Sequence, residues 1–186
     1  MRFKDEDKQE RLKEAMVRLI LEEGIDGTSV SKIAKAAGVS PATIYVYYES
    51  KEDMLTEVFR EYSKKPYQYL MNQVNENMNA GELIEAIVRG CYDFSTEHAD
   101  VFSFVEQCSR CPSVSEYVDE HECGCDIFDL IHTYQANGIL KDYSDRNIGA
   151  VLFAPVRFLA MNRCEKYDNS NSLDELISML KELLII

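Results

Sequence analysis

The residues best suited to chemistry lie between Ser40 and Tyr48, a short run in which hydroxyl and aromatic side chains predominate, SPATIYVYY. Thr43, Tyr45 and Tyr47 can donate hydrogen bonds to phosphate oxygens, and the small residues at the start of the run can approach a surface closely. Three of the last four positions are tyrosine, which is more than one buried stripe of a short helix holds. The pattern therefore indicates a nucleic-acid contact, with simple packing of the tyrosines as the alternative.

A second group of reactive side chains comprises four thiols and one imidazole within eighteen residues. Such groups bind soft metals or form redox switches when they converge. The alternative is that the cysteines are buried small hydrophobes, which is the usual state of a free thiol. We predict no cofactor and no bound metal, and we keep thiol or metal sensing as the alternative. The residues of that alternative are Cys108, Cys111, His121, Cys123 and Cys125.

The hydroxyl-bearing run requires a helix-turn-helix to present it. Thr28 or Ser29 can cap a first short helix, and Gly38 stands where its end needs a left-handed residue. Ser40 then caps a second helix with Pro41 at its first position, where a missing N–H costs nothing. The buried face of the first of these helices is predicted from the helical spacing of Val30, Ile33, Ala34 and Ala37.

Flanking helices complete the predicted amino-terminal part of the chain, residues 1–65, which we call the head. The first runs from about Asp5 to Glu23 and ends at Gly24. Another starts after Ser50, with Lys51 in its first turn free to reach a phosphate. Pro66 ends this connecting helix, which makes residues 64–66 the expected boundary. The predicted domains are 1–50 (helix-turn-helix), 51–65 (connecting helix) and 66–186 (effector binding and dimerisation).

The segment from Arg11 to Tyr62 resembles the DNA-binding domain of the TetR family of bacterial repressors. The elements that carry the resemblance are Gly38-Val39-Ser40, Thr43-Ile44-Tyr45-Val46-Tyr47-Tyr48 and Ser50-Lys51-Glu52. The resemblance implies contacts with the sugar-phosphate backbone from Thr28, Thr43, Tyr45, Tyr47 and Lys51. The residues that the resemblance places nearest the bases are Ser40, Pro41, Ala42 and Thr43. Ala42 departs from a frequent glycine, and the recognition helix has no Arg, Asn or Gln, so sequence choice is expected to use thymine methyl groups and DNA shape.

The net charge of −13 divides unevenly along the chain. Residues 1–65 carry 12 Lys and Arg against 13 Asp and Glu, whereas residues 66–186 carry 8 against 20. The near-neutral head can still present a local basic face, and an acidic body disfavours nonspecific wrapping of DNA. The basic residues expected on that face are Lys8, Arg11, Lys13, Lys32, Lys35 and Lys51.

The remainder of the chain has helical periods throughout, so the predicted fold class is all-α. A single head reads one half-site, and useful affinity requires two heads. We therefore predict a homodimer that binds a palindromic double-stranded DNA operator. The last two helices, near 145–163 and 172–184 with a kink at Pro155 and a cap at Ser172, are the dimer candidates. Their expected contact residues are Val151, Leu152, Val156, Leu159, Leu173, Leu176, Ile177, Leu180 and Leu184.

The resemblance implies that the middle helices enclose a small-molecule effector that releases the operator. The aromatic and methionine side chains available to line such a cavity are Met71, Met78, Tyr92, Phe94, Phe102, Phe104, Tyr117, Phe128, Tyr134, Phe153, Phe158 and Met161. Within that set the predicted ligand contacts are Phe102, Tyr117, Phe128 and Tyr134. Plain packing in the core is the alternative for each of them.

Catalysis is not predicted, because the chain has no nucleophile elbow, phosphate loop or histidine-glutamate metal helix. The charged amino terminus does not resemble a signal peptide, and no apolar run reaches the length of a membrane span. We therefore expect a cytoplasmic, TetR-like repressor that is not an enzyme.

Overall fold

The chain folds into helices joined by short turns. The computed structural model describes residues 5–111, 114, 120–162 and 169–186, and side chains at all of these except 120–125 and 169–170. Within this part of the chain the extended structure amounts to one isolated bridge between Leu140 and Ile185. The helices are α1 (Glu6–Gly27), α2 (Val30–Ala37), α3 (Pro41–Tyr47), α4 (Lys51–Tyr62), α5 (Lys65–Met71), α6 (Ala80–Glu97), α7 (Ala99–Cys108), α8 (Glu120–Ala136), α9 (Asp145–Met161) and α10 (Asn169–Leu184). The predicted all-α class is confirmed.

Local capping chemistry sets several of these boundaries. The Ser50 hydroxyl accepts from Asp53 N at 2.9 Å at the start of α4. Asn79 and Glu82 exchange side-chain and backbone hydrogen bonds of 3.0 and 2.8 Å, which is a complete capping box for α6. The predicted break at Gly24 is present, because its φ of 77° and ψ of 172° are non-helical, and α1 continues beyond this kink to Gly27. The expected start at Ser172 was wrong, since α10 begins at Asn169.

The first compact unit comprises Met1–Ser63 and Asp100–Asp119. Its core is one cluster to which α1, α2, α3, α4 and α7 all contribute buried side chains. The ring of Phe104 in α7 is fully buried and meets the ring of Tyr62 edge-on, with centroids 5.4 Å apart. α7 therefore packs with the amino-terminal helices, a long-range association that helical periodicity along the chain does not encode.

The second compact unit comprises Lys64–Ala99 and Glu120–Ile186. α6 is central to it, because α5, α9 and α10 all contact this helix. The approach of α5 is close at Gly90, where an added Cβ would lie 2.7 Å from Leu70 Cδ2. These compact units are defined by contacts between residues, whereas the division predicted at residues 50 and 65 concerns function. That functional division stays a prediction.

Ion pairs and backbone hydrogen bonds secure α10 within the second unit. Glu85 of α6 accepts from Arg89 at 2.9 Å and from Lys181 at 2.7 Å, and Arg89 also pairs with Asp174 at 2.6 Å. The end of the chain is tied to the α8–α9 turn, since Ile186 N donates to the carbonyl of Ile139 at 3.1 Å. These contacts fix which face of α10 points toward the core.

Candidate functional site

The turn between α2 and α3 follows from two local features. Gly38 adopts φ 69° and ψ 34°, a left-handed conformation that a glycine reaches without steric cost. Val39 N then donates to the carbonyl of Ala34 at 2.9 Å, which closes the end of α2. Pro41 occupies the first turn of α3, where it has no N–H to leave unsatisfied. The predicted helix-turn-helix is therefore present.

α3 has one buried face and one outward face. Ile44 is buried against the amino-terminal core, and Tyr48, just beyond the helix, is buried with it. Pro41 and Ala42 are exposed on the other side, together with Tyr45 at 59% and Val46 at 43% exposure. Helical geometry places these four residues on one contiguous surface, because they occupy positions i, i+1, i+4 and i+5. We call this surface the outward face.

Ser40 and Thr43 lie at the edge of the outward face. Their hydroxyl oxygens are 2.9 Å apart and share a hydrogen bond. Thr43 is half-buried and Ser40 is exposed. The structure therefore brings together the four residues that the resemblance placed nearest the bases, Ser40, Pro41, Ala42 and Thr43. Val46 also lies on the outward face but was not predicted to contact DNA. Its position one helical turn after Ala42 was the signal that could have indicated this.

Tyr47 is positioned by the start of α1. Its hydroxyl accepts from Asp5 N at 3.1 Å and donates to Asp5 O at 3.3 Å. Its ring lies 6.4 Å from that of Tyr48, centroid to centroid, at a tilted angle of 41°. Tyr47 is half-buried as a result, whereas Tyr45 projects from the outward face. The two tyrosines thus differ in how readily they can reach a partner.

Thr28 and Lys51 are engaged inside the protein. Thr28 is buried, and its hydroxyl donates to the carbonyl of Gly24 at 2.8 Å. Lys51 Nζ donates to the carbonyls of Ile25 and Thr28 at 3.2 and 3.1 Å, so the expectation of a free ammonium group was wrong. These hydrogen bonds fix the loop that precedes α2. That either residue also contacts DNA stays a prediction.

The basic residues expected on one face of the amino-terminal head are mostly paired with carboxylates. Lys8 lies 2.7 Å from Asp5, and Arg11 lies 3.2 Å from Asp7. Lys13 pairs with Glu61 and with Glu10, and Lys32 pairs with Glu23. The pKa of Asp5 is lowered chiefly by its hydrogen bond from Lys8. Lys35 is exposed in the last turn of α2. The positive potential of this face is therefore weaker than the count of lysines suggests.

The predicted ligand residues are divided between the two compact units. Phe102 is half-buried and belongs to the first compact unit, whereas Phe128 and Tyr134 belong to the second. The Tyr134 hydroxyl donates to the carbonyl of Met78, which gives this buried tyrosine a structural partner. Tyr117 lies outside the described residues. That these residues contact a ligand stays a prediction.

The thiol and metal alternative gains no support. Cys108 is fully buried, and burial together with the neighbouring Cys111 thiol raises its pKa to about 12, which keeps it in the unreactive protonated form. Cys111 is half-buried. The side chains of His121, Cys123 and Cys125 lie outside the described residues. Among the side chains that are described, no three His, Cys, Asp or Glu converge on a possible metal position.

α9 and α10 carry a second, largely apolar stripe. Of its residues, only Val151 and Leu176 were among the expected dimer contacts. Phe158 is 66% exposed and Met179 is 61% exposed, although both are large hydrophobic residues. Phe158 and Met161, expected to line a cavity, instead lie on the surface. The alternating four- and three-residue spacing that could have revealed the stripe runs through Asn147, Val151, Ala154, Phe158 and Met161 in α9 and through Ser172, Leu176, Met179 and Leu183 in α10.

The residues first expected at a dimer contact are mostly part of the monomer core. A helix with apolar residues on two sides has two candidate stripes, and packing against α6 uses one of them. Those buried within the second unit are Leu152, Val156, Leu173, Ile177, Leu180 and Leu184. We call the exposed stripe the α9–α10 stripe.

Comparison with known proteins identifies both the head and the whole fold. Residues 12–58 match the family of bacterial regulatory proteins, tetR family. Over 75 residues, or 40% of this chain and 39% of the relative, the sequence is 36% identical to the fatty acid metabolism regulator protein of Bacillus subtilis strain 168. The matched segment thus covers about two-fifths of that curated relative.

Solved structures extend the likeness across the chain. A TetR family transcription regulator from Marinobacter aquaeolei VT8 superposes with a TM-score of 0.76 and 23% identity, covering 97% of each chain. The regulator FadR from Bacillus subtilis, solved in complex with stearoyl-CoA, gives a TM-score of 0.71 and 23% identity over 92% of this chain and 96% of that one. At these identities the likeness shows the fold. Among the described residues, no helix has the length and low charge needed to cross a membrane.

Proposed function

We propose that this chain, whose residues 12–58 match the tetR family of bacterial regulatory proteins, is a TetR-like transcriptional repressor. It binds a palindromic operator as a homodimer and leaves the operator when a small molecule binds its second unit. Such a protein acts on chromosomal DNA and so works in the cytoplasm, as a regulator rather than an enzyme.

The observation that carries this proposal is the outward face of α3. Tyr45 is 59% exposed on a helix of seven residues whose other side is anchored by Ile44. Exposing a tyrosine ring to water gains nothing for the monomer, whereas its hydroxyl can donate to a phosphate and its ring can pack on a sugar. A short helix with small residues at its start is also the shape that enters a major groove.

The test is binding of the full chain to DNA selected from a random-sequence pool, followed by a Tyr45→Ala variant. We expect Tyr45→Ala to weaken binding about 5- to 50-fold, because it removes one hydrogen bond and one apolar contact. Tyr143→Ala is the matched control, since Tyr143 is 42% exposed in the second unit. If no DNA is enriched, or if both variants bind like the parent, the proposal fails.

The α9–α10 stripe supports the proposed homodimer. Two helices from each copy, packed about a two-fold axis, form a four-helix contact in which the same stripe meets itself. Ala154 leaves room for close approach of the helices beside the large Phe158. A dimer would present two copies of α3 to two half-sites, and half-sites one helical turn or a multiple apart fit that arrangement.

An aromatic cluster around Gly149 supports the proposed effector site. Tyr67 and Phe153 meet edge-on with ring centroids 6.0 Å apart, and both are half-buried. A Cβ at Gly149 would lie 3.5 Å from Phe128 Cζ and 4.0 Å from Phe153 Cδ2. These rings come from α5, α8 and α9, so an apolar ligand inserted among them would act on three helices of the second unit.

Stearoyl-CoA is the first probe to use, because the FadR structure that shares this fold was solved with it. We expect titration with stearoyl-CoA to release operator DNA, and free coenzyme A to have no effect. Salt should strengthen this binding, since residues 66–186 carry a net negative charge that repels a polyanionic head group. Gly149→Leu should block release and Gly149→Ala should retain it. Release by free coenzyme A, or no release at all, would contradict an acyl effector.

A further inference from the structure

The outward face of α3 is almost entirely hydrocarbon. Pro41, Ala42 and Val46 have no polar side-chain atom, and the single polar side-chain group among the four residues is the hydroxyl at the end of Tyr45. The hydroxyls of Ser40 and Thr43, at the edge, are hydrogen-bonded to each other at 2.9 Å. This is an unusual composition for a surface that has to distinguish base pairs.

Each base pair offers a different group to such a surface in the major groove. Guanine, adenine and cytosine present hydrogen-bond donors and acceptors, which are read by arginine, amide or carboxylate side chains. Thymine adds a methyl group on C5, which is read by apolar contact. α3 has no arginine, lysine, amide or carboxylate side chain between Pro41 and Tyr47. The C5-methyl group is therefore the feature that its side chains match best.

We infer that the outward face selects its operator by enclosing the C5-methyl groups of pyrimidines, thymine in unmodified DNA. This inference rests on the proposed function and specifies the kind of half-site it acts on. Pro41 and Ala42 are short enough to bring the backbone of α3 close to the base edges. Val46 and the ring of Tyr45 then supply carbon atoms on either side of a projecting methyl group.

The ion pairs of α1 and α2 increase the relative weight of this apolar readout. Lys8, Arg11 and Lys32 each have a carboxylate partner, so a phosphate must compete with that carboxylate for the positive charge. Sequence-independent attraction to DNA is reduced accordingly, because it depends on cations that phosphates can reach. A larger share of the affinity for a specific site then comes from base contacts.

The experiment uses the full chain and a duplex enriched by it from random DNA. Uracil replaces thymine at one position at a time, which removes a methyl group and leaves every hydrogen-bonding group in place. We expect affinity to fall about fourfold at each contacted thymine, the equivalent of about 0.8 kcal/mol for one buried methylene-sized group. Substitution outside the half-sites should have no effect. At a contacted position replaced by cytosine, 5-methylcytosine should bind about fourfold more tightly than cytosine.

A protein variant ties the effect to α3. Val46→Ala should reduce the difference between thymine and uracil at one position of each half-site, whereas Ile139→Ala, at a comparably exposed site in the second unit, should leave it unchanged. Tolerance of uracil at every position, with affinity lost on replacing guanine by 7-deazaguanine, would overturn the methyl readout while DNA binding stands. Failure to enrich any DNA would overturn both this inference and the proposed function.

Discussion

A single charge placed on the α9–α10 stripe should convert the proposed homodimer into monomers. Met179 is 61% exposed in one copy of the chain. Full burial of a methionine side chain is worth about 1.5–3 kcal/mol, so covering the exposed part in a dimer contributes about 1–2 kcal/mol. Two-fold symmetry makes the same contribution twice, which gives about 2–4 kcal/mol for the pair.

Met179→Glu removes that contribution and adds the cost of two buried carboxylates without partners. The dimer dissociation constant should rise at least about 30- to 700-fold, the equivalent of 2–4 kcal/mol. Sedimentation velocity over a wide range of protein concentration measures this constant directly. The monomeric variant should keep its helical circular dichroism, because position 179 faces away from the monomer core.

Ser178→Glu is the matched control, since it adds the same charge to the adjacent exposed position of α10. We expect Ser178→Glu to remain dimeric and to bind the palindromic operator normally. Met179→Glu should bind a single half-site but lose the gain in affinity that the second half-site provides. A Met179→Glu protein that stays dimeric at every concentration would refute the assignment of the stripe, and equal dissociation of both variants would refute its specificity.

Three further predictions concern the interior. Burial raises the pKa of Tyr48, so the neutral phenol stabilises the folded state fully below about pH 10, and this stabilisation is lost at higher pH. The urea midpoint should therefore fall between neutral and alkaline pH, and Tyr48→Phe should make that fall smaller. Lys51→Met should lower the free energy of unfolding by about 1.5–3 kcal/mol, because two carbonyls lose a charged donor, whereas a purely phosphate-binding lysine would leave it unchanged. Iodoacetamide at pH 8 should alkylate Cys108 rapidly in urea and very slowly in the native protein, since its thiol has a pKa of about 12; rapid native labelling would contradict the burial.

Local chemistry made the helix-turn-helix predictable. A left-handed Gly38, a capping Ser50 and Pro41 at a helix start act over a few residues, so their effect can be read without knowing what lies nearby. The outward position of Tyr45 followed in the same way, because four residues of helix period separate it from Pro41. The family resemblance rests on these same elements.

Partners distant in sequence decided what the local pattern left open. Lys51 meets the carbonyl of Ile25, which is 26 residues away, and Glu61 reaches Lys13 across 48 residues. Neither pairing is encoded in the spacing of either residue, and both change how the expected basic face would meet DNA. Phe104 likewise packs on Tyr62 after an intervening segment that belongs to the other compact unit.

The sequence by itself determined that the chain is helical and that α3 presents Tyr45, because periodicity and caps act within one or two turns. Tertiary structure alone decided which of two apolar stripes on α9 and α10 is buried. Both stripes have helical spacing, and α6 packs against the one containing Leu152 and Ile177. Phe158 and Met179 were left at the surface because a helix can turn only one side toward its neighbour.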